Sequence, residues 1–204
     1  LDTSQAVAQP AAVDRIMRRP GMHGDLNFLR TNGAKRFFNY WDSLPKAGLI
    51  PDRKSFNPAA IADLMSVVTI IEIWSRARID LRLIGTAVAE RMGFDPTGRN
   101  YLDFIAPEVR ETFLRLIDAQ ISQPCGRVSV IRARSASGLI ERSEALALPM
   151  FHERSGHYMI VACISPIEKL GYEPGGYEVL GYEDMGWVDI GAGVPDASSL
   201  APFP

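Results

Sequence analysis

The chain has 204 residues, 47% of them hydrophobic and 23% charged, with 22 basic against 24 acidic side chains and a net charge of -2. That composition belongs to an ordinary globular protein with enough chain for one large domain, or one domain with flanking segments. It offers no clustered basic excess for nucleic acid or an anionic membrane, and no apolar run nears the ~20 residues a membrane span needs. Cys125 and Cys163 are isolated inside apolar segments, with no CxxC or Cys/His spacing for zinc. They are expected as buried thiols in a reducing compartment. The N-terminus shows no apolar signal-peptide core, so a cytoplasmic protein is expected.

Residues 1–24 are Ala-rich with Pro10 and Pro20. They are expected as a flexible arm, either loosely solvated or packed on a partner. Residues 25–66 form a helical flank. A helix over 25–44 carries Leu26, Leu29, Phe37, Phe38 and Trp41 at three- and four-residue spacing, with a break or kink at Asn32-Gly33 and a stop at Pro45. Asn57-Pro58 begins a second short helix, Asn57 as its cap.

The centre of the chain is residues 67–85, VVTIIEIWSRARIDLRLIG. Two runs of strand formers flank a polar link at 75–79 and predict a hairpin. Residues 86–92 predict a short helix closed by Gly93, 101–105 a single helical turn, and 106–122 a long helix with Pro107 at its start. Val109, Phe113, Leu116, Ile117 and Ile121 mark the apolar face of that helix. Three strands follow, over 127–134, 139–149 and 157–164. The last is nearly all apolar, as a central strand buried on both sides would be. The order β-β-α-α-α-β-β-β predicts an α+β domain at 67–166, a five-stranded antiparallel sheet with a helical cover on one face. Residues 167–204 are rich in Gly, Pro, acids and aromatics, and Leu-Gly-Tyr-Glu occurs twice, at 170–173 and 180–183. This acidic, aromatic tail either lies irregularly along the domain or docks a partner.

Enzyme motifs are not found: there is no Gly-rich phosphate loop, GxSxG elbow or HExxH helix. Glu141 and Glu144 face opposite sides of a strand and cannot act as a carboxylate pair. They are expected as solvent charges, one of them a cross-strand partner of Arg132 or Arg134.

The strand order resembles the PAS sensory domain. The segments that carry the resemblance are FFNYWDSLPKAGLIPDRKSFNPAAIADLM at 37–65, the strand at 67–74, LRLIGTAVAERMGFDPTGRNYLDFIAPE at 81–108 and SEALALPM at 143–150. Together they cover about 28–166 and are similar to small stand-alone bacterial PAS proteins. The resemblance implies a sensory or regulatory module in signal transduction, with no chemistry or output domain of its own, acting by binding a small molecule or an unidentified signalling protein. It also implies a homodimer, with Phe37, Phe38 and Trp41 as the interface; the alternative is that this helix folds back on its own sheet. Gly98-Arg99-Asn100 matches the start of the flavin-adduct motif of light-sensing relatives, but the next residue is Tyr101 in place of the reactive cysteine, which disfavours a covalent flavin. No histidine occurs between Gly24 and Phe151, so the long-helix ligand of haem-binding relatives is missing. His152 and His157 lie by a late loop and are expected as solvated side chains. Tyr101, Phe104, Phe113, Ile117, Met159 and Val161 either line an apolar ligand cavity, with Ser129, Arg132 or Glu144 as its polar groups, or fill a dry core. The remaining alternatives are a small α+β enzyme with a cone-shaped pocket, such as an isomerase, and a ligand-free scaffold.

Overall fold

The computed structural model describes residues 27–196. The expected arm at 1–24 lies outside the described residues.

Continuous runs of buried residues, Val68–Glu72 and Ile79–Leu81, build the first hairpin, strands β1 (Val68–Ser75) and β2 (Arg78–Ile84). The link is tighter than the sequence suggests, with only Arg76 and Ala77 between the strands. A crossover then carries helix α2 (Thr86–Met92), the 3-10 turn Tyr101–Phe104 and helix α3 (Pro107–Ser122). Gly85 precedes α2 because the chain is pressed there onto the 3-10 turn before β1. A Cβ at that position would sit 2.3 Å from the Ser66 carbonyl oxygen. Gly93 ends α2 in the left-handed conformation, φ 80°, and its N–H returns to the Ala89 and Glu90 carbonyls. Strands β3 (Gly126–Arg134), β4 (Leu139–His152), β5 (His157–Tyr172) and β6 (Glu178–Val188) complete one antiparallel sheet, in the spatial order β2-β1-β5-β4-β3-β6.

The expected α+β sheet is present, with two differences. First, helices cover both faces. Helix α1 (Asn32–Asp42) begins later than expected, at the Asn32-Gly33 pair that reads as a break. Thr31 caps it, its Oγ1 accepting from the Ala34 N–H at 3.2 Å. Phe37, Phe38 and Trp41 pack on the sheet face formed by Val68, Ile70, Leu146, Leu148, Met159 and Val161. Trp41 is 1% exposed, and its indole N–H donates to the Pro149 carbonyl at 2.9 Å. The expectation that these three residues form a dimer interface is therefore corrected. The sheet is apolar on both faces, and the nearest cover for the second face is the chain's own helix.

Second, the tail contains a strand. The structure extends β5 to Tyr172 and adds β6 along the free edge of β3. Two bulges bend β6, and Asp184 takes φ 43° in the one between Glu183 and Gly186. Val179, Tyr182, Met185 and Val188 are buried by this pairing. The Gly-rich, acid-interleaved sequence hides the strand, because the bulges break the two-residue alternation that would have revealed it.

A candidate functional cavity between the sheet and the helices

On the face covered by α2 and α3, residues from four adjacent strands stand in one register row: Thr69, Ala162, Ala147 and Arg127. The two alanines in the middle are small, Ala145 follows on the same face of β4, and Ala133 of β3 also lines the space. Above this floor the aromatic side chains stack on one another. Phe113 of α3 lies parallel to Tyr182 of β6 at 5.8 Å and meets the ring of Tyr101 edge-on at 5.1 Å. The Tyr101 and Tyr182 hydroxyls are 3.4 Å apart. Rings that stack on each other do not descend to an alanine floor, and a cavity of about 70 Å³ remains. At roughly 10–15 Å³ for one water, this is space for a molecule of a few heavy atoms.

The polar groups of the cavity are unequally satisfied. On the wall toward α2, Arg91 donates to Glu141 Oε1 at 2.9 Å and to Ser143 Oγ at 3.3 Å, a closed ion pair. At the other end, Arg127 is 5% exposed, and neither its Nε nor its Nη1 has a hydrogen-bond partner among the described residues. Its guanidinium lies 5.9 Å from the Phe113 and Tyr182 ring centres, a cation–π contact that offsets part of the desolvation. Burial lowers the pKa of Arg127 from the ordinary arginine value. The Thr69 hydroxyl is also buried without a partner. Burial raises the pKa of Tyr101, Tyr177 and Tyr182, so all three are neutral phenols at pH 7. The cavity thus offers hydrogen-bond donors and one uncompensated positive charge.

Of the residues expected to line a pocket, Tyr101 and Phe113 do so. Phe104 packs between Phe94 and Tyr177, and Ile117 is buried in the core beneath α3; neither faces the cavity. Met159 and Val161 lie on the opposite sheet face, against α1, while their neighbours Ile160 and Ala162 face the cavity. Where both faces of a strand are apolar, alternation carries no information on which residue points where. Arg132 is on the surface, 3.6 Å from Glu183. Ser129 and Glu144 border a separate groove beside Asp184 and Trp187. The residues missed were Arg127, Thr69, Arg91, Tyr177 and Tyr182. One signal was available, for Arg127: an arginine in a strand beside the Ala145 and Ala147 face of β4.

The expected role of Glu141 and Glu144 as solvent charges is also corrected. They do face opposite sides, but Glu141 holds Arg91, and Glu144 anchors the start of α1. The Glu144 carboxylate, 1% exposed in its residue, accepts from the Arg30 N–H at 2.7 Å, the Thr31 N–H at 2.8 Å and the Thr31 hydroxyl at 2.6 Å. A carboxylate is acceptor-only and suits a helix start, where free N–H groups cluster. Glu144→Gln turns an amide NH₂ toward those donors. It is expected to cost about 2 kcal/mol, measured by urea unfolding.

A second polar cluster lies on the α1 face, at the β4–β5 hairpin. Glu72 is buried there, with Ser155 Oγ at 3.0 Å, Arg82 Nε at 3.3 Å, His152 Nδ1 at 3.4 Å and His157 Nδ1 at 3.6 Å. The two histidines are half-buried partners of Glu72, where solvated side chains were expected. Ser155 and Glu72 both meet His152 at Nδ1. A nucleophile relay needs a different partner on each ring nitrogen, so this is not a Ser-His-Glu triad. Burial pushes Cys125 up to about 12 and Cys163 up to about 11, leaving both as unreactive thiols. Among the described residues, no group of three or more His, Cys, Asp and Glu is placed to hold a metal. No described helix is long and apolar enough to cross a membrane.

An antiparallel sheet in this order, with a helical crossover closing a cavity over its central strands, places the chain in the α+β class. A family profile described as PAS domain matches residues 29–164, about two thirds of the chain, and the chain belongs to that family. Comparison with curated proteins finds no match. The matched region ends within β5, so the outer half of β5 and all of β6 lie beyond it. Tyr177 and Tyr182 of the cavity wall come from that added part.

Proposed function

We propose that this chain is the receiving module of a signalling system, and that a small molecule in the cavity is its signal. The observation that supports this most directly is Arg127, a buried guanidinium with unpartnered N–H groups beside a space of ligand size. Proteins rarely retain an unpaired buried charge without a use for it. Occupancy would be read by a partner, either a second copy of the chain or another signalling protein. With α1 spent on the chain's own core, that partner meets a different surface. In this reading the module acts by binding, with the cavity's polar groups set around a space of ligand size.

Mass spectrometry of gently purified protein, combined with a thermal-shift screen of metabolite classes, tests this reading. Ala147→Leu fills the floor of the cavity. The variant is expected to stay folded, within about 1–3 kcal/mol of the parent, and to lose every ligand-induced shift. A parent protein with no co-purified molecule and no stabilisation by any class would overturn the receiver reading.

A further inference from the structure

We propose that the cavity binds a short-chain monocarboxylate, its acid group on Arg127 and its alkyl end over Ala147 and Ala162. This rests on the receiver reading above and adds the chemical class of the signal. The guanidinium is a planar fork of donors that matches a carboxylate with two parallel hydrogen bonds. Among the described residues no carboxylate is paired with Arg127: the acid on the cavity wall, Glu141, is held by Arg91. The Tyr101 and Tyr182 hydroxyls sit at the same end as Arg127 and, as neutral phenols, can donate to the same oxygens. The guanidinium is donor-only and charged, and the phenols can add an O–H to it, which favours an anion over a cation or an amine.

Three further features narrow the anion. Arg127 is the one cavity-lining arginine without an ionic partner among the described residues, so a single negative charge is matched and a second would be left uncompensated. Between Arg127 and the closed Arg91–Glu141 pair at the far end, the wall is largely Ile71, Leu81, Ile160 and the alanines. That wall suits a hydrocarbon tail and gives nitrate or chloride nothing to replace their lost hydration. The volume of about 70 Å³ sets the length: a tail of a few carbons fits, and a fatty acid does not.

The test is thermal shift and calorimetry on the whole chain at pH 7 and constant ionic strength. The probes are acetate, propionate, butyrate and isobutyrate, each acid of three or more carbons with its matched amide, and sodium nitrate and chloride. At least one acid of three or more carbons is expected to raise the unfolding temperature by about 5–10 °C at a hundredfold excess over its Kd. Its amide and the inorganic anions are expected to bind at least about tenfold more weakly. Arg127→Met is expected to abolish acid binding and, by removing an uncompensated buried charge, to raise the unfolding temperature of the free protein. Ala147→Leu is expected to block the same acid with Arg127 intact, which guards against a misfolded methionine variant. Equal stabilisation by acid and amide, equal stabilisation by nitrate, or unchanged acid binding in Arg127→Met would each overturn the assignment. Binding of neutral amides without any acid would overturn it and leave the receiver reading standing. Binding of nothing in this set, together with an empty broader screen, would remove both.

Discussion

Trp41→Ala is expected to lower stability by about 4 kcal/mol, the range for deleting a buried aromatic ring. The indole fills the space between α1 and the α1 face of the sheet, 6.3 Å from the Phe38 ring, and its N–H satisfies the Pro149 carbonyl in the middle of β4. The alanine variant loses the packing and leaves that carbonyl without its partner, so two costs fall on one site. In a chain of this size the unfolding temperature should drop by about 10 °C. Urea unfolding at two protein concentrations, with sedimentation of both proteins, separates this from an interface effect. A core residue shifts the midpoint equally at both concentrations and leaves the sedimentation coefficient alone. An unchanged midpoint with a changed oligomeric state would restore Phe37, Phe38 and Trp41 as a dimer surface.

Tyr182→Ala is expected to cost nearly as much, again about 4 kcal/mol. Tyr182 stacks on Phe113, stands beside Tyr101 and lies against the Arg127 guanidinium. Its removal leaves a hole in the cavity wall and strips Arg127 of one of its two ring contacts, so the burial penalty on that charge grows. The position also tests the status of β6. A tail that only docks a partner would tolerate the change, with a loss below about 1 kcal/mol. A strand integral to the sheet would not. The same variant is expected to weaken any ligand held at Arg127, read as a smaller thermal shift at equal probe concentration.

The C-terminal segment shows why part of the fold was legible and part was not. Leu-Gly-Tyr-Glu occurs twice, and its two tyrosines meet opposite fates. Tyr172, at the end of β5, is 78% exposed, whereas Tyr182 in β6 is buried among Phe113, Tyr101 and Arg127. Local sequence is the same in both, so the difference comes from which strand edge each segment reaches. Strands β1 to β5 and the helices between them announce themselves through runs of strand formers or period two, period 3.6, and Gly and Pro at their ends. Strand β6 does not, because bulges interrupt its alternation and its glycines read as turns.

The site divides along the same line. Tyr101 and Phe113 were visible as large apolar residues on the elements that cross over the sheet. Met159 and Val161 were assigned to the cavity although they point away from it, since HYMIVACI is apolar on both faces and gives no parity. Glu144 looked like a charge for solvent. It serves instead as the acceptor for the start of a helix more than a hundred residues earlier in the chain, a contact no local pattern encodes.

By itself the sequence determined the class: a hairpin, a helical crossover and three further strands, with the spacing and caps that make an antiparallel α+β sheet the compact solution. Only the tertiary structure decided that α1 covers the second face, that β6 closes the edge, and that Arg127 ends up buried beside a small cavity without a partner. Secondary structure follows from interactions a few residues apart, which a linear pattern records. Burial, ion pairing and the facing of a doubly apolar strand depend on neighbours brought together from across the chain.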